Sequence, residues 1–105
     1  RFPTPHSLRA TPTQMLIDHH AHLDFPDFAP ERDAVVARAK AAGVGIIVTI
    51  STKVRAFDTY REIAEAYPNV FFSVGTHPHT AHTELDVPVS EIVALSQHPK
   101  GVAIG

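Results

Sequence analysis

The sequence of 105 residues contains no cysteine, which excludes a disulfide-stapled scaffold and any zinc site with cysteine ligands. It is compatible with a reducing cytoplasm, where we expect the protein to act. No stretch approaches the roughly 18 uninterrupted apolar residues that a membrane span needs. Charge is also scarce: the net charge of −2 offers no broad attraction for an anionic polymer. An anionic partner would have to be held locally, by a metal ion or a few side chains.

The length fits one domain, and a hydrophobic content of 44% is typical of a globular protein. Residues 1–14, "RFPTPHSLRATPTQ", contain three prolines and no apolar periodicity. We predict a disordered leader there and a folded domain over residues 15–105. An organelle transit peptide is the alternative for the leader, because it has two arginines and no acid.

Four apolar runs in the domain predict β-strands. They are apolar throughout rather than alternating, so both faces of the sheet should be covered, as in a parallel α/β sheet. The order is strand then helix, three times, followed by a fourth strand. The runs are "MLI" at 15–17, which predicts a buried strand, "VGIIVTI" at 44–50, "NVFFSVG" at 69–75 and "GVAIG" at 101–105.

Three helix patterns separate these runs. In the first, Val35, Ala39 and Ala42 share one face, Pro30 suits the first turn and Gly43 ends the helix.

The other two helices have candidate caps. Ser51 or Thr52 is predicted to cap the second helix, and Asp86 the third. We interpret both inner faces as core packing. Those faces carry Phe57, Tyr60, Ala64 and Tyr67 in the second helix, and Val89, Ile92 and Leu95 in the third.

Histidine is abundant, and six of the eight histidines fall in two short clusters. The first cluster is "DHHAHLD", residues 18–24. In a strand, His20 and His22 share one face, with Cα atoms roughly 6.5–7 Å apart, and His19 points to the other. Two imidazoles at that separation can tilt onto one cation, so we predict that His20 and His22 are metal ligands. A buried histidine satisfied by hydrogen bonds is the alternative for each.

The second cluster is "GTHPHTAH", residues 75–82, which contains His77 and His79. It follows the third predicted strand, as the first cluster follows the first strand. The carboxyl ends of parallel strands share one edge of the sheet, where α/β proteins place their active sites, so the clusters should meet there. We expect His6 and His98 on the surface and His82 in a loop. Asp18 should either orient a ligand histidine or cap the end of the strand. Asp24 and Asp27 should lie in a turn before the first helix.

Four segments, "LIDHHAHLDFPDF", "AGVGIIVTIST", "PNVFFSVGTHPH" and "VAIG", in this order and spacing, resemble the amino-terminal portion of TatD-type metal-dependent hydrolases, in the amidohydrolase-like superfamily. The resemblance implies a TIM-type (β/α)8 barrel, of which this chain covers the first four strands and three helices. It also implies a centre of one or two divalent metal ions (Mg, Mn or Zn) that hydrolyses phosphodiester bonds, as in a DNase.

Carried onto this sequence, the resemblance makes His20 and His22 metal ligands. It places His77 at the catalytic site in contact with the substrate phosphate, and we predict that His79 also steadies the phosphate oxygens. The substrate would be DNA or another phosphodiester. We expect no membrane association, and no protein partner is evident.

Two departures qualify the resemblance. The family usually has serine or threonine where this chain has His19, and it continues beyond the position of Gly105 with a metal-bridging glutamate and further ligands. A half barrel would expose two apolar sheet edges, and its activity would be weak or absent. The alternatives are a self-associating half-barrel module without catalysis, and a phosphoesterase of the polymerase-and-histidinol-phosphatase type. "VGTHPH" and "VAIG" argue against the latter.

Overall fold

The computed structural model describes residues 15–105. The predictions for residues 1–14 and for His6 therefore lie outside the described residues.

One parallel sheet organises the domain. Its four strands lie in the order of the sequence, and each pairs in parallel with the next. This confirms the predicted α/β class and the first four strands of a β/α barrel. The strands are β1 (Leu16–Ala21), β2 (Val44–Thr49), β3 (Val70–Val74) and β4 (Gly101–Ile104).

A helix returns the chain after each of the first three strands. A short 3₁₀ helix precedes each α-helix, so the 3₁₀ helices follow the carboxyl ends of the strands, where we expect the site. The α-helices are α1 (Arg32–Ala41), α2 (Phe57–Ala66) and α3 (Val89–Leu95). The 3₁₀ helices are Pro26–Glu31, Val54–Ala56 and Pro78–Thr83.

The core lies where α2 packs on the middle of the sheet. Val70, Phe72 and Val74 of β3 are essentially inaccessible to solvent, and Tyr60 and Ala64 of α2 pack in the same buried cluster. The predicted inner face of α2 is thus confirmed. No helix within residues 15–105 is long and apolar enough to cross a bilayer.

The prediction of a buried strand at residues 15–17 is wrong. Leu16 is 65% and Ile17 55% exposed, because β1 is an outer strand with a single neighbour among the described residues. Val102 and Ile104 of β4, the other outer strand, are exposed in the same way. Among residues 15–105, both outer strands therefore expose apolar side chains.

The predicted caps of the second and third helices are also wrong. The Ser51 hydroxyl donates to the carbonyls of Gly75 and Lys53, and the chain passes through the 3₁₀ helix Val54–Ala56 before α2 begins. Helix α3 begins only at Val89, which is largely exposed rather than on the inner face.

Asp86, predicted to cap α3, instead accepts a hydrogen bond from the Arg55 guanidinium at 2.7 Å. The pKa of the Asp86 carboxyl is lowered, chiefly by this hydrogen bond. The pair is exposed, and such pairs contribute little to stability.

His98, predicted on the surface, is half-buried beside Phe72, with ring centroids 5.3 Å apart. Its Nε2 lies 3.0 Å from the Glu65 carboxylate, and its Nδ1 accepts from the backbone amide of Lys100. The hydrogen bond with His98 is the main cause of a lowered pKa at Glu65. His98 thus joins α2 to the turn before β4.

The core position next to the first histidine cluster gives a direct test of stability. Leu23 is 3% exposed and belongs to the core, whereas Leu85 is 84% exposed. Leu23→Ala should lower the free energy of unfolding by about 2–5 kcal/mol, because it leaves a cavity. The same substitution at Leu85 should change it by less than about 0.5 kcal/mol. Urea unfolding of both variants measures the difference, and equal effects would contradict the buried position of Leu23.

Candidate functional site

A β-bulge shapes the first histidine cluster. Asp18 pairs with Ile47 and Ala21 with Thr49, so β1 has one residue more than β2 over this interval. The backbone amide of His20 donates to the Asp18 carboxylate at 3.0 Å. Asp18 therefore stabilises the backbone of the bulge, and the extra residue resets which face the following side chains take.

The structure brings His20 and His22 together. Their ring centroids are 5.2 Å apart, with the rings nearly perpendicular. The His22 ring also stacks on Phe25 at 4.7 Å. His20 is exposed and His22 is half-buried, so the pair lies at the surface with one ring held by packing.

Contacts with β2 fix the turn that follows His22. The Leu23 amide donates to the Thr49 hydroxyl at 3.2 Å, and the Ile50 amide donates to the Ala21 carbonyl at 2.8 Å. Arg32 donates through Nε to the Leu23 carbonyl at 2.8 Å. The backbone on both sides of His22 is therefore anchored.

Two unpartnered atoms test whether this turn suits a metal ion. Nδ1 of His22 and Oδ1 of Asp24 are buried and have no hydrogen-bond partner among residues 15–105. Leaving buried polar atoms unpaired is costly, so a polar or cationic partner is expected here. Imidazole nitrogen and carboxylate oxygen are both metal ligands, and the residues fit part of a divalent-metal site. Over the described range, no group of three or more histidine, aspartate or glutamate side chains could hold an ion.

The second pair, His77 and His79, lies close together on the surface, with ring centroids 4.9 Å apart. Nδ1 of His77 accepts a hydrogen bond from the His79 amide at 3.0 Å. This contact assigns the proton of a neutral His77 ring to Nε2. His77 is thereby oriented as a hydrogen-bond donor, which suits a phosphate oxygen.

The end of β2 also anchors this second pair. The Thr52 carbonyl accepts from the His77 amide at 2.9 Å and from the Thr80 hydroxyl at 2.7 Å. Thr52 is itself held by the buried Tyr60, whose hydroxyl accepts from the Thr52 amide at 3.0 Å. The two histidine pairs are not on neighbouring strands, since β2 lies between β1 and β3.

Glu84 is a buried carboxylate beside the second pair, 7% exposed. It accepts from the amides of Val54 and Arg55 at 2.8 and 2.9 Å, and from the Thr76 hydroxyl at 2.6 Å. Burial alone would raise the pKa of the Glu84 carboxyl. The hydrogen bonds from Thr76, Arg55 and Val54 outweigh burial, and the pKa lies below its ordinary value of 4.5.

Sequence reasoning did not find Thr49, Thr52 and Glu84 as residues that position the histidines. The hydroxyl residues had one signal, their place directly after an apolar strand. Glu84 had none, because its partners Val54 and Arg55 lie about 30 residues away in the sequence.

A parallel β/α sheet with paired histidines at its carboxyl edge is the arrangement expected of a metal-dependent barrel hydrolase. The model of the family "TatD related DNase" matches residues 17–105. The chain therefore belongs to this family, which favours the TatD resemblance over the phosphoesterase alternative.

Individual relatives agree with this assignment. The chain is 36% identical to the metal-dependent hydrolase YjjV of Escherichia coli K12 over 91 residues, which cover 85% of this chain and 35% of YjjV. It is 34% identical over 90 residues to the 3'-5' ssDNA/RNA exonuclease TatD of Salmonella typhimurium, covering 86% of this chain and 35% of that protein.

A solved structure supports the fold. The crystal structure of YjjV, a TatD homolog from Escherichia coli, matches with a TM-score of 0.75 and 35% identity, over 86% of this chain and 36% of that chain. The predicted partial TIM-type barrel is thus confirmed. The chain spans about a third of the length of the curated relatives it matches.

The lowered pKa of Glu84 predicts a pH-dependent stability. Its ionised form contributes stability above the ordinary, unfolded pKa of 4.5, and that contribution is lost as the pH falls through the lower folded value. Glu84→Gln should therefore lower the free energy of unfolding by about 1–3 kcal/mol at pH 7. The gap from wild type should narrow as the pH falls through the folded pKa, which lies below that ordinary value. Urea unfolding between pH 3 and 7 measures it, with Glu62→Gln, an exposed acid on α2, as the control.

Proposed function

We propose that this chain forms the amino-terminal part of a metal-dependent hydrolase that cleaves phosphodiester bonds in nucleic acid, with the domain beginning at residue 15. The observation that carries the proposal is the pairing of His20 with His22, whose own Nδ1 is buried and has no partner among residues 15–105. His77 and His79 follow β3 at the same carboxyl edge of the parallel sheet. The exonuclease activity named for the TatD relative supports nucleic acid as the substrate, and the family description, "TatD related DNase", favours DNA.

His20 and His22 would hold one or two divalent ions in this proposal. A divalent ion in such a site supplies a Lewis acid and lowers the pKa of a bound water. Imidazole nitrogen suits zinc, whereas magnesium and manganese are better served by oxygen ligands, so the three metals are compared experimentally. We place this activity in the cytoplasm.

His77 would bind the substrate phosphate. Its Nδ1 is occupied by the His79 amide, so the exposed ring offers Nε2–H to a phosphate oxygen. The anchored backbone keeps that donor in place before substrate arrives, which lowers the cost of ordering it on binding. His79, exposed beside it, adds a second imidazole to the same surface.

Substituting the first pair tests the metal site. His20→Ala and His22→Ala in the full-length protein should each lower nuclease activity by more than about 100-fold, since residues that merely support metal ligands already account for 10–100-fold. His19→Ala, an exposed neighbour in the same bulge, is the control and should retain activity. Cleavage of a labelled oligonucleotide with Mg, Mn or Zn, with and without chelator, measures the effect.

Calorimetric titration of the same variants with metal provides a readout that does not depend on turnover. Wild-type metal affinity in both His20→Ala and His22→Ala would remove these residues from the site.

Substituting the second pair tests phosphate binding separately. His77→Ala should raise KM for an oligonucleotide by about 3–10-fold, the value of one hydrogen bond of 0.5–1.5 kcal/mol. Metal affinity should not change, because His77 and the first pair form no joint group of metal ligands in the described range. His82→Ala, an exposed histidine of the same 3₁₀ helix, is the control. An unchanged KM in His77→Ala would contradict the assigned role.

A further inference from the structure

The Glu84 carboxylate joins the loop of the second histidine pair to the segment that leads into α2. Oε1 accepts from the Val54 amide and the Thr76 hydroxyl, and Oε2 accepts from the Arg55 amide. All three donors converge on a side chain that is 7% exposed. Two of the donors, the Val54 and Arg55 amides, lie on a different element. The carboxylate therefore links two parts of the chain and does not only close a local turn.

The positions of Thr76 and Glu84 in the sequence show what their hydrogen bond does. Thr76 directly precedes His77, and Glu84 directly follows the 3₁₀ helix Pro78–Thr83, which carries His79. Their hydrogen bond therefore closes the loop at its two ends. The loop is also held at Thr52, whose carbonyl accepts from the His77 amide at the start of the loop and from the Thr80 hydroxyl in its middle.

We propose that Glu84 is a positioning residue for substrate binding: it fixes both ends of the loop 77–83 and thereby holds Nε2 of His77 where a phosphate oxygen binds. This inference rests on the proposed function, because it assumes that His77 contacts phosphate. Glu84 would act on His77 indirectly. The hydrogen bonds of its carboxylate go to Val54, Arg55 and Thr76 rather than to the two histidine rings.

The chemistry of the contact requires an ionised carboxylate. A carboxylate accepts at both oxygens, whereas glutamine turns one of them into an NH₂ donor. In Glu84→Gln, either the Arg55 amide or the Val54 amide would face another donor and lose its partner. Aspartate keeps the charge but has one methylene fewer, so it cannot span the same distance.

Other contacts of the loop do not replace Glu84. Arg55 donates to the Thr83 carbonyl at 3.1 Å and to Asp86 at 2.7 Å, but both contacts are exposed to solvent. The exposed ion pair with Asp86 contributes little, and the hydrogen bond to the Thr83 carbonyl competes with water. The loop without Glu84 would be held chiefly at Thr52, and its ends could open locally.

Two measurements on the full-length protein test the proposal. Amide hydrogen exchange reports on the loop through the His77 and His79 amides, both hydrogen-bonded in the structure. Fluorescence anisotropy of a labelled single-stranded DNA oligomer, in the presence of chelator, reports binding that does not depend on metal or turnover. The variants are Glu84→Gln, Thr76→Val and the control Glu62→Gln, each also combined with His77→Ala.

We expect the loop to open more easily and the affinity for the oligomer to fall in the same variants. Exchange of the two amides should accelerate at least about 5-fold in Glu84→Gln, because local opening becomes easier. Oligomer affinity should fall about 3–10-fold, as for the loss of one hydrogen bond. In the His77→Ala background, Glu84→Gln should add no further loss, because residues that act through one contact are not additive.

The outcomes separate this proposal from the proposed function. Unchanged exchange in Glu84→Gln and Thr76→Val would overturn the positioning role alone, and so would an equal loss of affinity with and without His77. Wild-type oligomer binding in His77→Ala would overturn the phosphate role of His77 and the positioning role with it. If Glu84→Gln does not fold, Thr76→Val carries the test, because it removes one hydroxyl and leaves the buried carboxylate with its two amides.

Discussion

The hydroxyl-rich end of β2 holds both halves of the candidate site. Thr49 accepts from the backbone next to His22, and Thr52 accepts from the backbone of His77. Between them, Ser51 donates to the Gly75 carbonyl at 2.7 Å, and its amide donates to the Ser73 hydroxyl. β2 lies between β1 and β3, the strands that lead into the two histidine pairs. The segment at the end of β2 therefore fixes both of the loops that carry those pairs. The relative position of the two pairs depends on these few hydrogen bonds.

Local features of the fold could be predicted because they depend on neighbouring residues. Gly43, with φ of 97°, ends α1 in the left-handed region as its position predicted. The inner face of α2 followed from apolar spacing alone. The predicted caps were wrong because the actual partners are distant in the sequence: Glu84 accepts from the amides of Val54 and Arg55, in the 3₁₀ helix that precedes α2. His98 was missed for the same reason, since Glu65 lies 33 residues away.

The site shows the same division. The proximity of the His20 and His22 rings could be expected from their spacing, since a single residue, Ala21, separates them. The sequence could not show that His77 has its Nδ1 occupied by a backbone amide, because that depends on the 3₁₀ turn formed after Pro78. Nor could composition show that the apolar start of β1, Leu16 and Ile17, is exposed among residues 15–105: burial depends on which neighbours the strand has.

The β-bulge in β1 has a consequence for how this half of the site could change during evolution. Because one extra residue lies between Asp18 and Ala21, the face presented by residues 16–18 no longer determines the face presented by the histidines. Substitutions early in the strand therefore leave the histidines where they are. Loss of a single codon within the bulge would instead turn the imidazoles to the opposite side of the sheet, so a deletion would disable the pair in one step.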